Sequence, residues 1–472
     1  MLATLQVLGV DGEVAETLPA GMVCGFGRID GRMVAVGAED YTVAMGTPTC
    51  SYLERGKGSW PPGYIEDLAY NWEIPLVMLL QGVGGDVGTS DHPMLHSFVA
   101  GMTSSPILQL LDRVPSVTAL LGPVAGGSAA RAVCAHFSVM SREHGALFGG
   151  GPPLVKRSLG LQVNRFELGG HEIHLRESGA VDNGSDSEEE AFAQIKRFLS
   201  YLPTNVHALP PRVEPAADDP PDRLCEKLLE IMPHHPRRIF DPRKLIEEVV
   251  DRGSFFEIGA EWARELVQGL ARIGGIPVGV FANDARYNGG ALTGPAGDKQ
   301  TRFAEMCDTF HIPMVYFSDM PGLMIGPDAE RSGVLRRSAR AIQAMHTATV
   351  PVVTVNVRRA FGLGHHVCGS PDGLQIKLAW PTTILGFGGM PVEGGAAAQF
   401  KHEIEAADDP AAKLREIEER LRSKLSVWRT AEQFSAEDVL DPRETRRVVY
   451  RWLDPAFRSQ RPAPKAGPRN RP

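Results

Sequence analysis

Short apolar runs alternate along the chain with glycine-rich turns and with segments of mixed polarity that suit a helix. Residues 33–36, 76–80 and 117–121 are rich in aliphatic side chains, and each run is followed closely by glycine. Runs this short, bounded by turn residues, are typical of buried strands rather than helices. Strands that alternate with helical segments predict an α/β fold with crossover connections.

The pattern is duplicated half a chain apart. The motif Gly-x-x-Arg-Ile-x-Gly-x-x-Val-x-Val-x-x-x-Asp occurs twice, and two shorter segments with a Pro-x-Val step recur downstream in the same order. Residues 25–40 match 269–284, residues 74–77 match 312–315, and residues 114–118 match 350–354. The interval is far too long for a solenoid repeat, so the matches predict two copies of one fold. Two copies of a fold are expected to build two copies of its site.

Composition divides the chain around this repeat. Residues 209–222 are dense in Pro, Ala and Asp, which is typical of a linker, and the last dozen residues are rich in Pro and Arg. The expected segments are an N-terminal lead-in at 1–20, a first domain at 21–208, a linker at 209–240, a second domain at 241–458 and a disordered tail at 459–472.

Bulk composition argues against several classes of function. The formal net charge of −8 over 472 residues, without basic runs interleaved with aromatics, indicates no nucleic-acid partner. The six cysteines form no Cys-x-x-Cys pair, so neither a disulfide framework nor a zinc ribbon is predicted. The sequence shows no signal-peptide pattern and no apolar run of about 18 residues. We therefore expect a cytoplasmic protein with no membrane partner.

Two glycine-rich segments are the strongest candidates for chemistry. Residues 122–127 follow the third matched strand of the first half, and residues 358–364 follow it in the second. Consecutive backbone N–H groups after a strand can hold a developing oxyanion, and glycine is needed where a substrate approaches the backbone closely. A single such glycine pair more often serves a tight turn or close helix packing. The recurrence at the same step of both halves favours the oxyanion interpretation.

The usual catalytic motifs do not occur in the sequence. Gly82-x-Gly84 lacks the third glycine of a dinucleotide fingerprint, and no P-loop, Gly-x-Ser-x-Gly elbow or His-Glu-x-x-His is found. His365 and His366 are adjacent rather than four residues apart, so a surface or pocket-lining role is favoured and no metal is predicted. Cys368 has no neighbour that marks it as a nucleophile. The sequence thus offers oxyanion donors and no obvious acid, base or nucleophile.

This combination resembles the carboxyltransferase subunit of biotin-dependent acyl-CoA carboxylases, and most of all the propionyl-CoA carboxylase beta type. The similarity extends from about residue 21 to about residue 447. The stretches that carry it are 122–127, 148–156, 167–174, 255–257, 302–313, 321–322, 348–351 and 379–382. Together they are specific to the superfamily and much less specific to a substrate.

The resemblance implies both the fold and the reaction. It implies two homologous halves of the ClpP/crotonase type in a homo-oligomer, commonly a hexamer, with each active site between the N-half of one subunit and the C-half of another. The thioester oxygen of an acyl-CoA would be held by the amides of Gly126 and Gly127. The ureido oxygen of carboxybiotin would be held by the amides of Leu363 and Gly364. The cofactor would supply the base, because a biotin nitrogen takes the α-proton after CO2 is released.

The resemblance also implies substrate-binding positions and partners. The substrate-binding positions are Gly84, Gly85, Ala125, Gly151, Pro152, Phe361 and His366. The chain carries no Ala-Met-Lys-Met biotinylation segment and no ATP-binding glycine-rich loop. Separate biotin carboxylase and biotin carboxyl carrier partners are therefore expected, with carboxybiotin on the carrier.

The chain departs from the family pattern at both sites. Residues 82–87 stand where members usually show Asp-Ser-Gly-Gly-Ala-Arg, and residues 361–366 stand where they show Tyr-Gly-Gly-Ala-Tyr-Asp. Leu363 replaces a glycine, and His366 falls where the family often carries an acid or an aliphatic residue linked to acyl-group choice. Three functions stay open: carboxylation of an acyl-CoA, the reverse transfer in a biotin-dependent acyl-CoA decarboxylase, and a non-catalytic scaffold subunit.

Overall fold

The computed structural model describes residues 2–8, 13–46, 61–83, 107–233, 235, 238–369, 374–385, 391–432 and 434–465. The chain divides into two compact units. The first comprises residues 1–210 with 462–472, and the second comprises residues 211–461. Each unit contains one large sheet, with helices in the connections between its parallel strands.

The first unit is built on a sheet of order β1-β2-β3-β4-β5-β7-β9 among the described residues. The first three strands pair antiparallel, and from β3 onward the pairing is parallel. A separate parallel pair joins β6 to β8. The strands are β1 (Leu2–Leu8), β2 (Val14–Ile29), β3 (Arg32–Glu39), β4 (Leu76–Leu80), β5 (Ser116–Leu120), β6 (Pro123–Ala125), β7 (Phe137–Ser141), β8 (Ala146–Phe148) and β9 (Asn183–Ser185).

Six helices of the first unit are described. They are α1 (Pro61–Trp72), α2 (Ile107–Leu110), α3 (Gly127–Val133), α4 (Pro152–Leu159), α5 (Arg165–Gly169) and α6 (Glu188–Tyr201), with a 3₁₀ turn at Ala44–Gly46 and a π-helical turn at Ile173–Glu177. The longest, α6, begins where the Ser187 hydroxyl accepts the Glu190 N–H, and its first turn is acidic, as the helix dipole favours. Its buried face packs on the sheet through Phe198, which stacks on Phe137 at 5.0 Å.

The second unit is built on a sheet of order β10-β11-β12-β13-β14-β15-β17 among the described residues, with β16 paired to β14. Here too the first three strands pair antiparallel and the later ones pair parallel. The strands are β10 (Phe256–Glu257), β11 (Leu266–Ile273), β12 (Ile276–Asn283), β13 (Met314–Met320), β14 (Val352–Ala360), β15 (Gln375–Ala379), β16 (Ile384–Leu385) and β17 (Asp438–Val439).

The helices of the second unit include two long ones in the crossovers between central strands. They are α7 (Leu228–Ile231), α8 (Pro242–Val249), α9 (Gly294–Thr309), α10 (Pro327–Arg331), α11 (Val334–His346), α12 (Val392–Gln399), α13 (Lys401–Glu405), α14 (Pro410–Arg422), α15 (Val427–Glu432) and α16 (Thr445–Ser459), with 3₁₀ turns at Asn288–Gly290, Gly362–Cys368 and Pro442–Glu444. No helix in the described part of the chain is long and apolar enough to cross a lipid bilayer.

The two sheets share the register of the sequence repeat. The matched strand pairs are Gly25 opposite Val36 and Gly269 opposite Val280, Ala35 opposite Leu76 and Gly279 opposite Met314, and Leu76 opposite Ser116 and Met314 opposite Val352. Register is fixed by which side chains must face the core. Equal registers therefore mean that the matched residues occupy equivalent positions in the two sheets. The predicted α/β fold is confirmed.

Segments outside the repeat are more ordered than their composition suggests. In place of the lead-in expected at 1–20, β1 pairs with the start of β2, and register shifts in this pair interrupt the alternation that would have revealed it. From residue 211 the expected linker at 209–240 belongs to the second unit, where the Val213 N–H donates to the Gly275 carbonyl at 3.1 Å. Main-chain hydrogen bonds hold this proline-rich segment without the apolar periodicity of an element.

Candidate active site

The first glycine loop, residues 122–127, connects β5 to α3. Its middle part is β6, which pairs with β8 so that Ala125 lies opposite Phe148. The Ala125 N–H also donates to the Gly82 carbonyl at 2.9 Å. Gly126 then adopts φ 61° and ψ −124°, a conformation that residues with a Cβ avoid. The turn from β6 into α3 therefore requires glycine at this position.

The backbone amides of Gly126 and Gly127 are the predicted donors to a thioester oxygen. Gly126 caps α3 and Gly127 is its first residue, so neither N–H has an acceptor inside the helix. Within the described ranges, neither amide donates a hydrogen bond. A Cβ built on Gly127 would have one neighbour within 4 Å, Nη1 of Arg131 at 3.5 Å. Among the described residues the two donors thus have no acceptor, and there is room beside the second.

A buried carboxylate lies next to the first glycine loop. Glu39, the last residue of β3, is 5% exposed. It accepts hydrogen bonds from the Gln81 N–H at 2.9 Å and from the Ser128 hydroxyl at 2.5 Å. Burial raises the pKa of Glu39, and the hydrogen bonds from Ser128 and Gln81, with the charge of Arg131, offset this only in part. The groups that directly contact this carboxylate are neutral donors.

Arg131 of α3 is occupied by a different carboxylate. Its Nε donates to Glu66 of α1 at 2.8 Å, and both side chains are almost completely buried. Burial raises the pKa of Glu66, and the charge of Arg131 opposes that rise. Arg131 therefore pairs with Glu66 and acts on Glu39 only through its charge.

The second glycine loop, residues 361–364, follows β14 in the second unit. The Phe361 N–H donates to the Met320 carbonyl at 3.0 Å, which ties the loop to the end of β13. Gly362 has φ 60° and begins the 3₁₀ turn Gly362–Cys368. The N–H of the second residue of such a turn has no acceptor within the turn. This is the amide of Leu363, one of the two predicted donors to carboxybiotin.

Close packing explains the glycine at the other predicted donor position. A Cβ built on Gly364 would lie 2.7 Å from Cγ of Met320 and 2.8 Å from Cα of Gly322. The Leu363 side chain points away from this contact and is 56% exposed. The loop therefore needs glycine at 364 for steric reasons, whereas the side chain at 363 is free to vary.

A second buried carboxylate holds the strand that supports this loop. Asp319 of β13 is 1% exposed and binds two guanidinium groups, Arg358 at 2.6 Å and Arg359 at 2.7 Å. Its own N–H donates to Oδ1 of Asn283 at 3.1 Å. Burial alone would raise the pKa of Asp319, but the hydrogen bonds from Arg359 and Arg358 hold it below the usual value.

The histidines of the following turn differ in exposure, and its cysteine is a buried thiol. Burial, with the nearby charge of Lys377, lowers the pKa of His365 to about 4, so its ring is neutral at physiological pH. His366 is exposed, and its carbonyl lies 3.0 Å from Nε2 of His346. Burial raises the pKa of the Cys368 thiol to about 11. A buried, protonated thiol is a poor nucleophile.

The structure groups the predicted substrate-binding positions in part. Gly151, three residues after the end of β8, caps α4, and Pro152 is the first residue of that helix. In β8, Phe148 lies opposite Ala125 of β6. Phe361 and His366 share the turn of the second loop. Gly84 and Gly85 lie outside the described residues.

Sequence reasoning missed the two buried carboxylates. Glu39 is the last residue of β3 and Asp319 the last but one of β13, and both strands are mostly apolar. An acidic side chain in such a run is seldom fully buried unless it has partners. That placement was the available signal, and the partners could not be named because they are distant in sequence.

Comparison with known proteins identifies the family. The model of the carboxyl transferase domain matches residues 8–468. The carboxyltransferase subunit of propionyl-CoA carboxylase from Haloferax mediterranei is 34% identical over 90% of this chain and 80% of its own. The methylmalonyl-CoA carboxyltransferase 12S subunit of Propionibacterium freudenreichii subsp. shermanii is 31% identical over 95% of this chain and 83% of its own.

Solved structures agree with the sequence relatives. Transcarboxylase 12S, crystallised as a hexamer with methylmalonyl-CoA and methylmalonic acid bound, superposes with a TM-score of 0.84 and is 29% identical. The match covers 98% of this chain and 89% of that one. The resemblance noted from the sequence motifs is confirmed. This chain belongs to the carboxyl transferase family, among the biotin-dependent acyl-CoA carboxyltransferases.

Proposed function

We propose that this chain moves CO2 from carboxybiotin to the α-carbon of an acyl-CoA, through an enolate held by backbone oxyanion donors. The observation that carries the proposal is the pair of amides at Gly126 and Gly127, which have no acceptor in the described part of the chain, in a loop whose backbone requires glycine. We further propose that each unit is a crotonase-like fold, because the two sheets share strand order and register.

The first glycine loop would stabilise the charge that develops on the acyl thioester. Two preorganised N–H donors lower the energy of an enolate oxygen without reorganisation during the reaction. Losing one such donor reduces turnover by about 10²- to 10³-fold in other enzymes. Cys368 is not suited to act as a nucleophile, since its thiol is buried and protonated.

The second glycine loop would receive carboxybiotin. The amide of Leu363 has no acceptor within its turn, and the tight contact of Gly364 with Gly322 fixes the loop against β13. These residues fit a neutral ureido oxygen, which needs N–H donors and no charged partner. When bound, biotin supplies the CO2 and the nitrogen base, and the chain supplies donors and position.

The substrate class and assembly are proposed from the relatives. We propose an acyl-CoA substrate, chosen in part by the exposed side chain of His366, and a homohexamer that works with separate biotin carboxylase and biotin carrier subunits. A His366→Asp variant assayed with acyl-CoAs of different length tests that choice. An unchanged profile would leave His366 without a role in selection.

A carboxyl-exchange assay tests the proposed reaction. Purified protein is incubated with methylmalonyl-CoA and free biotin, and the carboxylation of biotin is followed. Gly127→Val should leave the oligomer intact, because the loop has room for a side chain at this position. It should abolish turnover, because that side chain would occupy the space that the substrate needs. Gly394→Val is the matched control, since that glycine of α12 also has open space around it. Wild-type turnover in Gly127→Val would remove the oxyanion assignment, and no exchange in the wild type would favour the scaffold hypothesis.

The reverse transfer is a second candidate. It is favoured by a relative named methylmalonyl-CoA carboxyltransferase 12S subunit and by a transcarboxylase 12S structure that has methylmalonyl-CoA bound. The forward and reverse reactions use the same donors. Identifying the native partners separates them: an ATP-dependent biotin carboxylase supports the first, and a membrane decarboxylase supports the second.

A further inference from the structure

Glu39 contacts residues that hold the first glycine loop at both of its ends. Its Oε1 accepts the hydroxyl of Ser128, which directly follows the Gly126-Gly127 pair. Its Oε2 accepts the Gln81 N–H, and the next residue, Gly82, packs against this carboxylate. The Gly82 carbonyl in turn accepts the Ala125 N–H, immediately before Gly126.

The packing around this carboxylate leaves little freedom. A Cβ built on Gly82 would lie 2.7 Å from Oε2 of Glu39 and 2.9 Å from the carbonyl oxygen of Gly46. The Gln81 side chain binds back to the Glu39 carbonyl at 2.9 Å. Glu39 and the segment after β4 are thus held together by several short polar contacts. A displacement of the carboxylate would therefore be transmitted to both sides of the loop.

The equivalent position of the second unit shows which part of this arrangement is specific. Asn283 accepts the Asp319 N–H with its single amide oxygen, as Glu39 accepts the Gln81 N–H. One side-chain oxygen is therefore enough to hold the end of the neighbouring strand. The second oxygen of Glu39 has no counterpart in Asn283, and it is the one that binds Ser128. This additional acceptor therefore binds the start of α3 and not a strand of the sheet.

We propose that Glu39 is a positioning residue that sets the separation and direction of the Gly126 and Gly127 amides, acting through Ser128 on one side and Gly82 on the other. The inference rests on the proposed oxyanion role of these amides. It adds a residue that touches no substrate and yet determines how well the two donors converge on one oxygen.

The test compares Glu39→Gln, Ser128→Ala and the double variant in the full-length protein. Carboxyl transfer is measured with propionyl-CoA, and dissociation constants are measured for propionyl-CoA and for its thioether counterpart S-propyl-CoA. Glu39→Gln should lower kcat about tenfold and change KM by less than about twofold, because misplaced donors weaken the transition state more than the ground state. The preference for thioester over thioether should fall as well. The double variant should be no slower than Glu39→Gln alone, since both changes break one connection.

Asp182→Asn is the matched control. Asp182 is a buried carboxylate that also accepts a serine hydroxyl and an N–H, both from Ser138 at 3.0 and 2.8 Å, on strand β7 rather than on the glycine loop. A loss of stability alone would lower the fraction of folded protein, and this would affect the measured binding of the thioester and of the thioether equally. The control should therefore leave the ratio of the two dissociation constants unchanged.

The outcomes separate this inference from the proposed function. A wild type with neither carboxyl transfer nor thioester preference overturns the proposed function and the inference with it. The inference alone is overturned if the wild type shows carboxyl transfer and thioester preference and the Glu39→Gln variant has the same kcat and the same preference. If Glu39→Gln fails to fold, Ser128→Ala decides: a reduced thioester preference supports the inference, and an unchanged one overturns it.

Discussion

The two units place an acid and an amide on the same pair of strands, but in opposite order. In the first unit the acid is Glu39, at the end of β3, and the amide is Gln81, after β4. In the second unit the amide is Asn283, at the end of β12, and the acid is Asp319, in β13. In both cases a backbone N–H in or just after the second strand donates to the side-chain oxygen at the end of the first. What differs is the set of groups that the acid recruits.

The recruited groups decide how each acid ionises. Asp319 is bound by Arg358 and Arg359, which hold its pKa down against the effect of burial. Glu39 is bound by a hydroxyl and by a backbone N–H, so burial prevails and its pKa is raised. Burial destabilises the charged form of an acid, and positively charged partners stabilise it. The comparison therefore predicts that the two acids respond differently to substitution.

The largest effect is expected at Asp319. Asp319→Asn removes the carboxylate that binds the buried guanidinium of Arg358 and the half-buried one of Arg359. Removing one partner of a buried ion pair destabilises a protein by about 3–5 kcal/mol. Urea unfolding at pH 7 and fixed protein concentration measures this loss.

The control for Asp319→Asn is a surface pair. Asp328 and Arg331 lie 2.8 Å apart but are 98% and 76% exposed, and Asp328→Asn should change the free energy of unfolding by less than about 1 kcal/mol. Equal losses in the two variants would show that the partners of Asp319 do not matter, and the contrast with Glu39 would fail.

The two glycine loops should differ next. Gly364→Ala places a methyl group 2.8 Å from the backbone of Gly322, and overpacking of this kind costs about 1–3 kcal/mol. Gly127→Ala meets only the far end of the Arg131 side chain at 3.5 Å, and its free energy of unfolding should change by less than about 1 kcal/mol. Urea unfolding of both variants measures the difference. A Gly127→Ala variant as unstable as Gly364→Ala would contradict the open geometry of the first loop.

These glycines show what could and could not be predicted from the sequence. The repeat placed the segments 122–127 and 358–364 at the same step of two similar strands, and the structure confirms the α/β fold and the shared register. The physical need for glycine differs within these segments: Gly126 and Gly362 have a positive φ, whereas Gly364 has a neighbour where its Cβ would be. A sequence shows that glycine is present and not which of these reasons applies.

The buried acids were beyond the sequence for a related reason. Glu39 meets Gln81 and Ser128, which are 42 and 89 residues away. Asp319 meets Arg358 and Arg359, which the sequence assigned to a glycine-rich segment and the structure places in β14. Local patterns predict strands well because strands are local, whereas the ionisation of a buried acid depends on contacts made only after folding.

The pH dependence of stability should also separate the acids. Asp319 has a lowered pKa, so its contribution is present above the unfolded value of about 3.9 and is lost only as the pH falls through the folded value. The loss caused by Asp319→Asn should therefore be constant between pH 5 and 8. Glu39 has a raised pKa, so its contribution is complete below about 4.3 and declines as the pH rises through the folded value.

For Glu39→Gln the expected loss is therefore greatest at the acid end, where it is about 1 kcal/mol for a weakened hydrogen bond, and it decreases as the pH rises. Urea unfolding at a series of pH values, at constant ionic strength, measures both trends. Parallel curves for Glu39→Gln and Asp319→Asn would mean that the partners do not distinguish the two acids.

The smallest effect on stability is expected at Leu363, in the second loop. Its side chain is 56% exposed, and its amide rather than its side chain is the proposed donor to carboxybiotin. Leu363→Ala should therefore change the free energy of unfolding by less than about 0.5 kcal/mol and keep carboxyl transfer within a few-fold of the wild type. A Leu363→Pro variant removes the donor itself, and it should lower the transfer rate by about 10²-fold because one N–H is lost. If both variants transfer carboxyl groups equally well, the amide of Leu363 is not a donor, and the two glycine loops differ in chemistry as well as in packing.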